Sequence, residues 1–196
     1  MGAFKPLLAF GAGTVAEACV GSLRGAGVGE IVVVVGHRAG EVRAALAGTP
    51  GVRFAVNDVA GSEMGVSVAQ GVEALPVGAG AVLVALVDQP AVPPSAVEML
   101  IEARRRTGAR LVQPVWEGRG GHPVLVDLGF REELLSLVPQ SGLRALFDAH
   151  RDEVLRVPSA SPFVARDMDT WEDYVALHRE VFGREPEGKK AEGGQQ

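Results

Sequence analysis

Short runs of consecutive apolar residues alternate along the chain with stretches whose apolar residues recur every three or four positions. The runs fit strands buried on both faces, whereas the recurring spacing is typical of amphipathic helices. The predicted strands are 31–35, 52–56, 79–88, 110–116, 123–126 and 154–157. Helices are predicted over 41–46, 95–107, 130–137 and 142–150. Three more are predicted to begin after Thr14, near Gly65 and after Thr170. This alternation predicts an α/β fold with a doubly wound, mostly parallel sheet, helices on both faces and a hairpin edge.

The apolar run 79–88 ends abruptly on a carboxylate, Asp88. A strand that is apolar at every position belongs inside a sheet covered by helices, and ligands bind outside the carboxyl ends of such strands. Asp88 is therefore the first candidate for a functional side chain. The alternative is that Asp88 caps the next helix, but Ser95 is the better placed N-cap.

Composition places the chain among globular proteins, because 47% of its 196 residues are hydrophobic and 22% are charged. We expect one domain over 1–182 and a disordered tail over 183–196, which is rich in Gly, Glu, Lys and Gln. The formal net charge of -5 argues against a nucleic-acid partner. No apolar run is long enough to span a membrane and no signal peptide is evident, so the predicted location is the cytoplasm. The single cysteine, Cys19, is expected to be a core thiol.

A second pair of carboxylates, Asp167 and Asp169, precedes the last predicted helix, which Thr170 and Asp173 can cap. A parallel sheet could bring them to the same edge as Asp88. Two carboxylates suffice for Mg²⁺ when water and substrate phosphates complete its coordination. We expect Asp169 to assist the helix start, which leaves Asp167 as the metal ligand beside Asp88.

The segment 7–16 matches the glycine fingerprint of dinucleotide-binding folds with alanine in the last place. That motif needs a full strand before it and an acid at the end of the next strand. Here Pro6 interrupts the leading strand and the next strand ends in Gly36-His37. An NAD(P)-dependent dehydrogenase is therefore a distant alternative.

A glycine-rich connection, 117–122, joins two predicted strands and has the composition of a hairpin or a flap over a site. The glycines at 118, 120 and 121 predict that it moves when no ligand is bound. His122 ends this flap. Its ring either faces a substrate or forms its hydrogen bonds with nearby backbone.

Several ordered motifs resemble the molybdenum-cofactor nucleotidyltransferases, which have a nucleotide-sugar-pyrophosphorylase-like fold of Rossmann-like type. The family's phosphate loop, L-A-A-G-x-S-x-R-M-G followed by x-x-K-x-L-L, is similar in its second half to residues 1–8. Its glycine–methionine–serine, L-G-D-Q-P, G-H-P-V and D-x-D-T-P-E-D-Y segments resemble 64–67, 86–90, 121–124 and 167–174. Trp171 replaces the proline of the last motif. The resemblance covers nearly the whole chain.

The resemblance implies a Mg²⁺-dependent enzyme that transfers a nucleoside monophosphate, from CTP in the first place with GTP left open, to the phosphate of molybdopterin. Pyrophosphate is released, and a client molybdoenzyme is an expected partner. By role, the implied residues are Lys5 and Asp88 for catalysis; Gly2, Lys5, Met64, Ser67 and Asp88 for the nucleotide; Gly121 and His122 for the acceptor; and Asp88 and Asp167 for Mg²⁺. For Lys5 the alternative is an ordinary exposed lysine. A degenerate member that binds a nucleotide or a pterin without turnover is the non-enzymatic alternative.

The chain departs from the family pattern in two places. The segment 139–144 lacks the acid of the family's G-D-x-G-A-R motif, which leaves the identity of the acceptor open. The sequence also begins inside the segment that resembles the phosphate loop. We therefore expect about 15–20 further residues, roughly one strand and its loop, upstream of Met1, and a poor catalyst without them.

Overall fold

The computed structural model describes residues 4–59, 61, 63–137 and 142–186. The helices within these residues are α1 (Val15–Gly25), α2 (Ala39–Ala45), α3 (Met64–Glu73), α4 (Pro94–Thr107), α5 (Arg131–Leu135), α6 (Gly142–Ala149) and α7 (Trp171–Phe182). The strands are β1 (Ala9–Phe10), β2 (Gly13–Thr14), β3 (Ile31–Val35), β4 (Val52–Val56), β5 (Ala81–Val84), β6 (Leu111–Trp116), β7 (Arg119–Gly120), β8 (Val124–Asp127) and β9 (Val154–Pro158). Gly2, the segment 138–141 and most of the predicted tail, 187–196, lie outside the described residues.

The longer strands lie in two groups. In one, β3 and β4 pair in parallel, with Ile31 opposite Val52. In the other, β8 lies between β5 and β6 and is antiparallel to both, while β9 pairs in parallel with β6. Because β5 and β6 both oppose β8, they run in the same direction as each other and as β9. The predicted α/β fold is confirmed, and its sheet is mixed, since β7 and β8 run antiparallel to their neighbours.

Helices cover both faces of the sheet, as alternate residues of β8 show. Val124 and Val126 pack with residues of α3, α5 and α6, whereas Leu125 packs against α4 on the other face. Successive side chains of a strand point to opposite faces, so one apolar strand supplies two cores. The bounds predicted for β3 and β4 are those observed, and the capping box between Thr14 and Glu17 starts α1 as predicted.

The strand that ends near Asp88 differs from its prediction. The apolar run 79–88 forms a strand only over Ala81–Val84, and its observed partner, β8, is antiparallel. All four strand residues are half-buried, because the edge of β5 away from β8 borders an open cavity. The predicted buried strand with parallel neighbours is therefore wrong for the described residues.

Two local predictions also need correction. The helix after Asp88 begins at Pro94, with Pro93 as its N-cap and no side-chain cap, so Ser95 does not have the predicted capping role. The proline ring favours the helical φ and removes an N–H that would lack a partner in the first turn.

The segment with the glycine fingerprint forms an antiparallel hairpin of β1 and β2. It therefore lacks the strand–turn–helix context that dinucleotide binding needs.

Candidate active site

A backbone hydrogen bond joins the two acidic segments that the sequence singled out. The chain turns after β5, and the carbonyl oxygen of Asp88 accepts a hydrogen bond of 2.9 Å from the N–H of Met168. Met168 is fully buried between Asp167 and Asp169, so this bond fixes both neighbours close to Asp88. The predicted meeting of these carboxylates at the end of β5 is present, and we call them, with Lys5 and His122, the acidic site.

The carboxylate of Asp88 lacks a conventional partner. Its Oδ1 is buried and accepts no hydrogen bond from any described residue. Burial raises the pKa of Asp88, the negative charges of Asp167 and Asp169 raise it further, and Lys5 opposes the shift. A buried carboxylate oxygen that accepts no hydrogen bond, beside another carboxylate, is costly unless a cation lies close to both groups. The side chains therefore fit a divalent metal ion.

Gln89 positions the second carboxylate. Its Nε2 donates a hydrogen bond of 2.7 Å to Oδ1 of Asp167, and the Gln89 side chain is buried. Such a bond fixes the orientation of a carboxylate that binds a metal. No role was predicted for Gln89, although its place directly after Asp88 in the Asp-Gln-Pro motif was an available signal.

Lys5 forms an ion pair with Asp169, whose Oδ1 lies 2.9 Å from Nζ. Lys5 opens a short 3-10 helix, Lys5–Leu7, that packs against α1 and α2. The predicted assistance of Asp169 to the helix start is not observed. Thr170 and Asp173 form the capping box of α7, which leaves the carboxylate of Asp169 to Lys5.

His122 lies at the edge of the acidic site. Its Nδ1 is 3.3 Å from the carbonyl oxygen of Val84, the last residue of β5. Burial lowers the pKa of His122, while this contact and the charges of Asp167 and Asp88 oppose the shift. The predicted alternative of a hydrogen bond to backbone is therefore observed at Nδ1, and a role of His122 toward a substrate stays a prediction.

The glycine-rich flap is anchored next to this histidine. The N–H of Gly121 donates to the carbonyl of Pro114, and that of His122 donates to the carbonyl of Val164. A Cβ at position 121 would lie 2.0 Å from the Val164 oxygen, so only glycine fits there. The outer part of the flap turns at Glu117 and Gly118, both with positive φ. Flap motion stays a prediction, and these anchors limit it to that outer turn.

Met64 and Ser67, the two residues expected to contact the nucleotide, lie in the first turn of α3, which begins one residue before its predicted start near Gly65. The Ser67 hydroxyl accepts a hydrogen bond of 2.9 Å from Nδ2 of Asn57, and Met64 is exposed. Both line the cavity beside β5, together with Val87. The cavity ends at Val87, one residue before Asp88, and neither Asp88 nor Asp167 lines it.

Cys19 supports the turn that carries Asp88. Its thiol donates to the carbonyl of Leu86 at 3.7 Å, and burial raises its pKa to about 12. Cys19 therefore stays protonated, in keeping with the predicted core thiol.

Among the described residues, no cluster of three or more His, Cys, Asp or Glu side chains could hold a metal, so substrate phosphates and water would complete coordination by Asp88 and Asp167. Within the same residues, no helix is long and apolar enough to cross a membrane.

Residues 1–154 match the model of the MobA-like NTP transferase domain. The fold is similar to that of Rv0371c from Mycobacterium tuberculosis H37Rv, solved in complex with manganese, at 28% identity and a TM-score of 0.74 over 91% of this chain and 93% of that one. A nucleotidyl transferase from Methanothermobacter aligns with a TM-score of 0.78 and 28% identity over 91% of this chain and 85% of its own.

A more distant structure supports the fold alone. The 4-diphosphocytidyl-2C-methyl-D-erythritol synthase of Anaerococcus prevotii has a TM-score of 0.71 at 15% identity, with 92% of this chain and 91% of that one covered. The comparison with curated proteins found no match.

Proposed function

Since this chain belongs to the family of MobA-like NTP transferase domains, we propose that it transfers a nucleoside monophosphate from a nucleoside triphosphate to the phosphate of a molybdopterin-type acceptor. CTP is the favoured donor. The proposal includes the cytoplasmic location and the client molybdoenzyme expected from the sequence.

In this reaction an oxygen of the acceptor phosphate attacks the α-phosphorus of the triphosphate. A new P–O bond forms there while the bond between the α-phosphorus and the bridging oxygen breaks, and the electron pair leaves with pyrophosphate. The acceptor becomes a nucleoside diphosphate derivative. In-line positioning and neutralisation of the phosphate charges are the chief requirements.

The acidic site offers a group for each requirement. Asp88 and Asp167 would hold a divalent metal, Mg²⁺ in the first place, which neutralises phosphate charge when bound. Lys5 is a cation that can exchange its ion pair with Asp169 for a triphosphate oxygen. We assign His122 and Gly121 to the acceptor side of the site. Since the Nδ1 of His122 donates to the Val84 carbonyl, the Nε2 of a neutral ring can accept a hydrogen bond or a proton there.

The observation that carries the proposal is the Oδ1 atom of Asp88, which is buried without a hydrogen bond among the described residues. Desolvating a carboxylate in this way is costly, and the adjacent charge of Asp167 adds to the cost. A bound metal offsets both. That Rv0371c was solved with manganese supports testing Mn²⁺ beside Mg²⁺.

The test measures pyrophosphate release by this chain and by a form extended upstream of Met1, from CTP, GTP, ATP and UTP, each with Mg²⁺ or Mn²⁺ and with purified molybdopterin. We expect metal-dependent release with one triphosphate preferred and no release without the acceptor. A variant with Asp88→Asn should bind no metal–nucleotide complex. Asp152→Asn is the matched control, because Asp152 is exposed just before the amino end of β9, opposite the carboxyl ends of the strands.

Two results would count against the proposal. Metal-dependent nucleotide binding without pyrophosphate release under any condition would favour a binding protein over an enzyme. Equal release by the Asp88→Asn and Asp152→Asn variants would separate the reaction from the acidic site.

A further inference from the structure

A cavity of about 620 Å³ separates β3 from β5. In the described residues, β3 pairs only with β4, and β5 pairs only with β8, so the remaining edge of each strand faces this cavity. An unpaired strand edge presents free N–H and C=O groups that can pair with another strand. We call this cavity the strand slot.

The hydrogen-bond pattern identifies the backbone groups that face the strand slot. The N–H of Ile31 bonds to β4 through the Gly51 carbonyl, so by alternation Val32 and Val34 direct their N–H and C=O groups into the slot. The Gly80 carbonyl accepts from the N–H of Leu128, just after β8, so by alternation Ala81 and Leu83 direct their N–H and C=O groups into the slot from the opposite side. Both edges are therefore ready for strand pairing.

The remaining walls are the helices that cover a sheet. Ala16, Val20 and Leu23 of α1 line one side, and Val68 and Val72 of α3 line the other, with Leu75 just beyond that helix. Each residue of a strand takes about 160 Å³, from a rise of ~3.3 Å, a strand spacing of ~4.8 Å and a sheet thickness of ~10 Å. The volume therefore matches about four strand residues with apolar side chains.

The direction of a strand in the slot follows from the topology. The connection from β4 to β5 passes through α3, and a crossover of this kind joins parallel strands. The ring of Phe4 lies 6.0 Å from that of His37, just beyond the carboxyl end of β3. A segment that runs through the slot parallel to β3 would therefore emerge beside Phe4.

We propose that the strand slot binds a β-strand of at least four apolar residues, parallel to β3 and β5, and that the occupant belongs to the same polypeptide, upstream of Met1. Insertion joins the two groups of strands into one sheet and fills the space between α1 and α3. Such a strand would leave the slot near the start of the 3-10 helix that carries Lys5.

The test compares the 196-residue chain with a form extended by the in-frame codons upstream of Met1, using amide hydrogen exchange measured by NMR. In the shorter chain, the amides of Val32, Val34 and Leu83 should exchange at least about 100-fold faster than those of Val33 and Val82, which bond within their sheets. In the extended chain this alternation should disappear, and the thermal midpoint should rise by about 10 °C or more.

A proline substitution gives an independent readout. Val34→Pro removes an N–H that faces the slot, so it should change the thermal midpoint little in the shorter chain and lower it by about 5–10 °C in the extended one. Equal effects in both chains, or unchanged exchange of Val32 in the extended chain, would overturn the proposal. A stop codon directly before Met1 would overturn the proposal that the occupant belongs to the same polypeptide. Protection of these amides that appears only as the concentration of the shorter chain rises would overturn it too, because a strand from a partner would then fill the slot.

Discussion

The Asp88→Asn substitution should stabilise the fold while removing metal–nucleotide binding. Asp88 Oδ1 is buried and accepts no hydrogen bond from the part of the chain that the structure describes, and the fold raises the pKa of this group through burial and the charge of Asp167. A raised carboxyl pKa means that the ionised side chain destabilises the fold, progressively as pH rises from the unfolded value through the folded one. At neutral pH the neutral amide should therefore be the better tolerated group.

The size of the gain follows from the buried atom. A buried polar group without a hydrogen bond costs about 1–3 kcal/mol and a charged one costs more, so an amide that is equally unbonded relieves only the excess, about 1 kcal/mol for the half-buried Asp88. For a chain of this size that corresponds to a rise of about 2–4 °C in the thermal midpoint. A saturating metal–CTP complex should raise the midpoint of the native protein by about 5–10 °C and that of the variant not at all.

Thermal unfolding of the native protein, Asp88→Asn and the control Asp152→Asn, with and without Mg²⁺ and CTP, measures both effects. The control should behave as the native protein does. If Asp88→Asn lowers the midpoint without ligand and retains the shift with ligand, Asp88 is a structural residue and the reasoning fails.

Three further substitutions test other parts of the site and fold. Gly121→Ala should lower the free energy of unfolding by about 3 kcal/mol, because its Cβ would overlap the Val164 carbonyl; an unchanged denaturation midpoint would contradict this close approach. Gln89→Leu should weaken metal binding about 10–100-fold by freeing Asp167, and calorimetry that finds equal affinity would show that the hydrogen bond has no such role. The pKa of His150 is raised, chiefly by its hydrogen bond to Glu133. The protonated ring therefore stabilises the fold below the pKa of the unfolded state, and this stabilisation is lost as pH rises through the pKa of the folded state. His150→Gln should therefore lower the thermal midpoint more at pH 5.5 than at pH 8.5, and an equal decrease at both would contradict the assignment.

The sequence predicted the elements whose signals are local. The run of β-branched residues over 31–35 and the capping boxes at Thr14 and Thr170 define their elements with no help from the rest of the chain. The Asp88 turn could also be predicted, because an apolar run that ends on a carboxylate is a pattern along the sequence.

The errors arise where a residue depends on distant neighbours. Whether 79–88 is buried depends on the strand beside it, and the open edge of β5 cannot be read from its own residues. Asp169 was assigned to the helix start, but its partner is Lys5, which is 164 positions away. Gln89 gained its role from Asp167, again through a contact that sequence spacing does not reveal.

The most direct test of the central claim uses CTP labelled at the α-phosphorus. The labelled CTP is incubated with the protein, molybdopterin and Mg²⁺ or Mn²⁺, and the label is then located among the products. We predict that the label appears in the pterin product in equal amount to the unlabelled pyrophosphate released, and that Asp88→Asn abolishes both. Label found only in free CMP, or transfer that persists without a divalent metal, would contradict the account.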